Sequence, residues 1–210
     1  MNPEVVCGVK SLRNFLLGIL VALPAVSAAA ADGLRIGSKR FTESYVLGEL
    51  VLRVASREGP ATHRQGMGNT GILVAALRGD AIDVYPEYSG TIAREVLKME
   101  GNPPLEALNR ALAPLGLKAD VPLGFNNSYA IGMREELAAK LGVRTIADLA
   151  RHGALRFGFS HEFLARQDGW PGLARTHGLA QAKTQGLDHG IAYEALAAGR
   201  VDVIDLYSTD

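Results

Sequence analysis

Cysteine is almost absent: the 210-residue chain carries one, Cys7. A single thiol excludes a disulfide framework and a zinc site built on cysteines. Excess charge of one sign is absent too, since 22 basic residues balance 22 acidic ones. The electrostatic footprint of a nucleic-acid binder is therefore missing. Aromatic residues are scarce at 6%, so the positions of the six tyrosines carry information. What is present, 48% hydrophobic and 21% charged residues, is the composition of a globular chain rather than a disordered or collagen-like one. The length allows one large domain or two small ones.

Only one long apolar run exists, residues 15–26 (FLLGILVALPAV). Lys10 and Arg13 precede it, Pro24 interrupts it, and small residues at 27–31 offer A-x-A-like cleavage sites. That is the layout of a secretory signal peptide. The competing reading is an uncleaved anchor, because the uncharged stretch 14–31 approaches spanning length. Cys7 lies before the apolar run, so no lipoprotein signal is present. The expectation is a soluble, periplasmic protein with residues 1–31 as its leader.

Beyond the leader, strand-like and helix-like segments alternate. Strands are expected at 34–38, 62–67, 81–85, 129–133, 155–159 and 201–207. Helices are expected at 43–58, 70–77, 92–99, 104–115, 135–141, 146–152, 163–177 and 187–198. Val46, Leu47, Leu50, Val51 and Val54 form a helical stripe, with Thr42 placed to cap it. The alternation argues for an α/β protein with mainly parallel sheet. No internal repeat is visible, and residues 117–127 are the best candidate for a domain crossing. The chain stops directly after a strong strand, which reads as an incomplete α/β fold because such sheets are normally covered by helices on both faces.

Residues 66–71 (GMGNTG) match G-x-G-x-x-G, with Asp83 and Glu87 near the distance at which an acid would hold a ribose. A nucleotide-binding enzyme is one reading. The other is a glycine-rich turn into a helix, favoured because the motif follows the second strand and not the first. The histidines (63, 152, 161, 177 and 189) show no metal-ligand spacing and are assigned to surface or capping roles. No G-x-S-x-G nucleophile elbow occurs. The tyrosines say more. Tyr88, Tyr129 and Tyr207 fall at strand ends or crossings, where α/β sheets place ligands. Tyr45 and Tyr193 are assigned to packing.

At these residues the sequence resembles the substrate-binding components of ABC importers for glycine betaine, choline and related osmoprotectants. The matching stretches are 38–43 (SKRFTE), 79–91 (GDAIDVYPEYSGT), 124–130 (GFNNSYA), 161–169 (HEFLARQDG) and 205–210 (DLYSTD). The resemblance implies a two-lobed periplasmic-binding-protein ("flytrap") fold, closing by hinge motion on one small ligand. On that basis residues 32–125 form an incomplete first lobe, 126–207 the second, and 208–210 the start of a return crossing. The resemblance further implies a box of tyrosines around a quaternary ammonium. Tyr88, Tyr129 and Tyr207 match three of its positions, and the fourth would lie beyond residue 210. Lys39, Thr91 and Arg166 match positions that hold a ligand carboxylate. Asn127 matches a polar position beside the ammonium. The implied partners are a small quaternary-ammonium ligand and a membrane permease, with no nucleic acid, no cofactor and no catalysis. An incomplete, non-functional fragment of such a protein and a sensory module built on the same lobes are the further alternatives.

The chemistry suits these residue types. A trimethylammonium has no N–H donor, so it is recognised by diffuse positive charge against aromatic faces. Each desolvated ring contributes roughly 1–2 kcal/mol, whereas micromolar binding needs about 8 kcal/mol. Three rings do not suffice, and a zwitterion requires a carboxylate anchor. Arg166 supplies a planar fork, with Lys39 and Thr91 adding point contacts. A neutral Asn127 mildly favours a zwitterion over choline.

Overall fold

The computed structural model describes residues 5–10, as backbone, and 33–210. They fall into two compact units. The first takes the described residues up to Lys39 and Ser44–Phe125; the second takes Arg40–Glu43 and Asn126–Asp210. Residues 40–43, which the sequence reading assigns to the first lobe, thus cluster with the second unit.

In the first unit, β1 (Val5–Lys10) and β2 (Leu34–Gly37) are followed by α1 (Thr42–Ala55), β3 (Ala61–Arg64), α2 (Thr70–Arg78) and β4 (Val84–Tyr88). Then come α3 (Ser89–Thr91), which runs into a π-helical turn at Ile92–Val96, α4 (Leu105–Leu112) with a 3-10 turn at Ala113–Leu115, and β5 (Leu117–Pro122). The sheet order is β3-β2-β4-β1-β5. β2 runs parallel to β3 and β4, while β1 is antiparallel to β4 and to β5. Leu73, Leu77, Ile82, Tyr85 and Leu108 are buried at its centre.

β1 pairs Val5 with Tyr88 and Val9 with Val84 on one side, and Lys10 with Leu117 on the other. These six residues belong to the expected leader, and its apolar run lies outside the described residues. β4 begins three residues later than expected and runs through Pro86. Proline argues against a continuing strand because it cannot donate to a ladder, which is why the segment reads as ending at Tyr85.

The stripe expected on α1 splits. Leu47 is buried, but Val46, Leu50 and Val54 are 54%, 53% and 63% exposed. The buried face is made of the small residues Ser44 and Gly48 together with Leu47. A Cβ on Gly48 would come within 2.4 Å of the His63 ring, so close approach to β3 selects for bulk-free positions. Thr42, expected as the cap, is already the first helical residue.

The second unit contains β6 (Tyr129–Met133), α5 (Glu135–Leu141), a 3-10 segment Ile146–Arg151, β7 (Arg156–Ser160), α6 (His161–Ala165), α7 (Trp170–His177), β8 (Lys183–Leu187), α8 (His189–Ala197) and β9 (Val203–Tyr207). Its sheet order is β6-β9-β7-β8. β7 is parallel to β8 and β9, and β6 is antiparallel to β9. Each unit is therefore a mixed sheet carrying an antiparallel member. Phe157, Phe159 and Phe163 are buried, and Trp170 packs on Phe159 with ring centroids 4.9 Å apart. β8 (KTQGL) was not expected as a strand because it is an exposed edge with no apolar alternation.

A repeat that the amino-acid pattern hides is visible in the bonding. In the first unit the Arg35 backbone N–H and Nε both donate to Asp83 Oδ2, at 2.8 and 2.9 Å, and Nη2 meets Oδ1 at 2.6 Å. In the second, the Arg156 N–H and Nε both donate to Asp202 Oδ2 at 2.9 Å, and Nη2 meets Oδ1 at 2.8 Å. Each clasp ties the start of one parallel strand to the residue before another, β2 to β4 and β7 to β9. Tyr88 and Tyr207 each lie five positions beyond the clasping aspartate, at the end of the clasped strand. Two candidate site residues thus hold equivalent places in the two units.

Candidate functional site

In the second unit the β6–β9 ladder sets Tyr129 directly opposite Tyr207. Residues opposite one another on antiparallel strands bring their side chains together, and the two ring centroids are 5.1 Å apart. Burial, followed by the Glu162 carboxylate, raises the Tyr129 phenol well above its ordinary range. Burial, followed by the neighbouring Tyr129, does the same for Tyr207. Both rings therefore stay neutral and present unionised π faces at physiological pH. Phe163 packs on Tyr129 at 4.8 Å, and Phe41 on Tyr207 at 5.0 Å.

Arg166 is 6% exposed, with its guanidinium carbon 5.8 Å from the Tyr129 ring centroid. Its Nε and Nη2 form a fork on the Asp168 carboxylate, at 2.9 and 2.8 Å. Nη1 lies 3.6 Å from Glu162 Oε1. Burial pulls the guanidinium down, but the Asp168 fork and the surrounding negative charge outweigh it and hold Arg166 more firmly protonated than usual. Glu162 is the partner at the helical i, i+4 spacing. Asp168, two residues on, is the closer partner.

Asn127 is half-buried. Its Nδ2 donates to Glu43 Oε2 at 3.1 Å, and its Oδ1 accepts from Ser208 Oγ at 3.2 Å. The Thr209 hydroxyl also donates to Glu43. The neutral amide is thus backed by a carboxylate that sequence reasoning did not assign. Asp205, buried at the centre of β9, accepts from the Ser160 N–H and Oγ at 2.6 and 2.7 Å. Burial raises its carboxyl, and the Ser160 bonds only partly oppose that.

His189 has neither of the surface or capping roles expected of the histidines, being buried against another ring. It is 6% exposed, opens α8, and its ring lies 4.5 Å from that of Tyr207. No spacing in the sequence announces it, because the contact is made between α8 and the end of β9. Tyr193, assigned to packing, is 37% exposed and donates its hydroxyl to Asp210 Oδ2 at 2.6 Å.

In the first unit Lys39 is buried rather than solvated. Its Nζ is 2.7 Å from Glu87 Oε1 and 3.4 Å from Thr70 Oγ1. The same Glu87 oxygen accepts from the Tyr88 backbone N–H at 2.9 Å. Lys39, Glu87 and the backbone of Tyr88 therefore form one connected group at the end of β4. Tyr88 is half-buried, and Thr91 is buried in the turn after it. In the glycine-rich stretch, Gly66 and Gly68 take φ of +70° and +141°. Asn69 then caps α2 by accepting from the Ile72 N–H at 3.2 Å. The motif thus works as a turn and cap. Among the described residues no group of three or more His, Cys, Asp or Glu could hold a metal ion.

The second unit thus assembles aromatic faces with carboxylates around them, an environment that attracts a diffuse cation without N–H donors. Known proteins match the chain. A glycine-betaine-binding protein of Pseudomonas aeruginosa is 30% identical, over 96% of this chain and 70% of its own length. A Helicobacter pylori protein described as an ergothioneine transport permease/ergothioneine binding protein is 28% identical over 83% of this chain, which spans only 33% of that longer relative. The apo structure of YehZ from Escherichia coli superposes with a TM-score of 0.50 at 26% identity, covering 86% of this chain and 71% of that one. The two-lobed binding-protein fold accounts for the two α/β units. Residues 32–210 match the pattern described as the substrate binding domain of ABC-type glycine betaine transport systems, and the chain belongs to that family of transport binding proteins, which are not enzymes.

Proposed function

We propose that the protein captures a small quaternary-ammonium osmoprotectant, such as glycine betaine or choline, outside the cytoplasm and delivers it to a membrane permease. The observation that carries this reading is the Tyr129–Tyr207 pair, placed in register across β6 and β9 with the Arg166 guanidinium beside it. Two neutral, desolvated rings contribute roughly 2–4 kcal/mol to holding an onium head. Tyr88, at the equivalent strand end of the first unit, adds a third ring, and Asn127 adds a polar contact backed by Glu43. Arg166, Lys39 and Thr91 are the groups for a ligand carboxylate. Arg166 and Lys39 are already engaged with Asp168 and Glu87, so a ligand carboxylate shares these cations with an internal one. Residues 1–31 act as the export leader, followed by a first lobe at 32–125 and a second at 126–207.

Calorimetry of the chain with glycine betaine, choline and carnitine tests the reading. Saturable one-to-one binding of at least one of them is the expected result. Absence of heat with all three, on protein shown to be folded by circular dichroism, contradicts it.

A further inference from the structure

We propose that His189 is a wall of the onium site and that its protonation weakens ligand binding. The inference rests on the quaternary-ammonium reading above and adds a residue and a pH response to it. The His189 ring lies against Tyr207 at 4.5 Å with the planes 36° apart, and meets Phe41 edge-on at 6.3 Å. It therefore lines the same aromatic cluster as the tyrosine pair. Its Nε2 is 2.8 Å from Asp210 Oδ2. Asp210 also accepts from the Tyr193 hydroxyl and from the Tyr207 backbone N–H, so this carboxylate fixes the ring to the end of β9. With Nε2–H donated to Asp210, the neutral ring carries its lone pair on Nδ1. That atom is buried and has no hydrogen-bond partner among the described residues. Buried polar atoms are otherwise paired almost without exception, and Nδ1 is where an added proton goes.

Histidine is the side chain whose charge changes between pH 5 and 8. A proton on Nδ1 places a full positive charge against the Tyr207 ring. The π face that attracts an onium head then already faces a cation, and the two cations repel at close range in a partly desolvated site. The other ionisable groups around His189 are Asp210, Asp205 and Tyr207 at the β9 end, Tyr193 and Asp188 on and before α8, and Arg40, which lies 3.9 Å from Asp188. Of these, Asp205 also gains a proton toward acid because burial raises its carboxyl. Its loss of negative charge acts in the same direction, so the test has to separate the two.

Equilibrium dialysis of the full chain with radiolabelled choline and with tetramethylammonium, at about pH 8 and about pH 5.5, provides that test. Both probes keep their charge across this range. The wild-type affinity is expected to fall roughly tenfold at the acid pH. His189→Phe keeps an aromatic wall without the proton and is expected to bind with the pH effect reduced to about twofold or less. His189→Gln serves as a second proton-free variant if the phenylalanine disturbs folding. Equal wild-type affinity at both pH values overturns the proposal. A His189→Phe or His189→Gln affinity that falls as steeply as wild type also overturns it, and assigns the effect to Asp205. Failure of the wild type to bind either probe at both pH values overturns the quaternary-ammonium reading itself.

Discussion

Tyr207 meets Tyr129, Phe41 and His189 with one ring, and its own backbone N–H is held by Asp210. A side chain fixed from so many directions is pre-organised, so little entropy is lost when a ligand adds one more contact. Tyr129→Ala and Tyr207→Ala are each expected to lower onium affinity about tenfold or more, the share of one desolvated ring. Tyr88→Ala is expected to weaken binding more than Tyr45→Ala, since Tyr45 lies on α1 beside the Gly66 turn. Calorimetry on the four variants checks this ordering, and equal losses at Tyr45 and the other three reject it. Lys39 and Glu87 invite a stability prediction at the same scale. Both side chains are at least 95% buried and 2.7 Å apart. Removing one partner strands a buried charge at a cost of about 3–5 kcal/mol, so Glu87→Ala is expected to shift the urea midpoint strongly downward.

The strand-end places of Tyr129 and Tyr207 were legible because strand ends can be read from local pattern and a ring there is conspicuous where aromatics are rare, whereas Tyr88 ends a strand that the pattern stops at Tyr85. The carboxylate partners were not legible. Asp168 lies two residues from Arg166, outside the i, i+3 and i, i+4 spacings by which helical neighbours are paired. Glu43 reaches Asn127 across 84 positions of sequence, and His189 reaches Tyr207 only through the return of the chain along β9. Long-range contacts of this kind leave no periodic trace.

Among the elements, the Arg–Asp clasps do for each sheet what a turn residue does for a hairpin: they fix where the second strand starts. Neither aspartate follows a helical or strand period, so the repeat stayed invisible until the bonds were seen. The clasp has a pH signature. The Arg156 hydrogen bonds hold the Asp202 carboxyl below its ordinary range. A carboxylate with a depressed folded-state pKa stabilises the fold above its unfolded value and loses that contribution as pH falls through the folded one. The contribution is therefore complete above about pH 5 and declines through the carboxylate range. Asp202→Asn is expected to lower the melting temperature at pH 7 by at least about 2 °C and to flatten the acid limb of the stability curve. Thermal melts from about pH 7 to about pH 3 check both. The strands whose cores are apolar, β7 and β9, were read nearly in place. The polar edge strand β8 and the proline-bearing β4 were misplaced, because burial and hydrogen bonding, not propensity, hold them.

On the scale of the whole molecule, the first sheet is continuous only because β1 stands between β4 and β5, bonded to both. Without it, those two strands present unpaired N–H and C=O groups, which edge strands do not tolerate well. Removal of the export leader, residues 1–31, takes β1 with it, so the processed chain is expected to show faster amide exchange in Val84–Tyr88 and Leu117–Pro122 than the unprocessed chain, with Tyr129–Met133 unchanged. Equal exchange in both forms contradicts the role given to β1. The function rests on a narrower claim, that Tyr129 and Tyr207 receive the onium head. A crystal structure with bound choline tests it most directly. The account predicts the choline nitrogen within about 6 Å of both ring centroids; a choline bound elsewhere, with the two rings still packed only on each other and their neighbours, contradicts it.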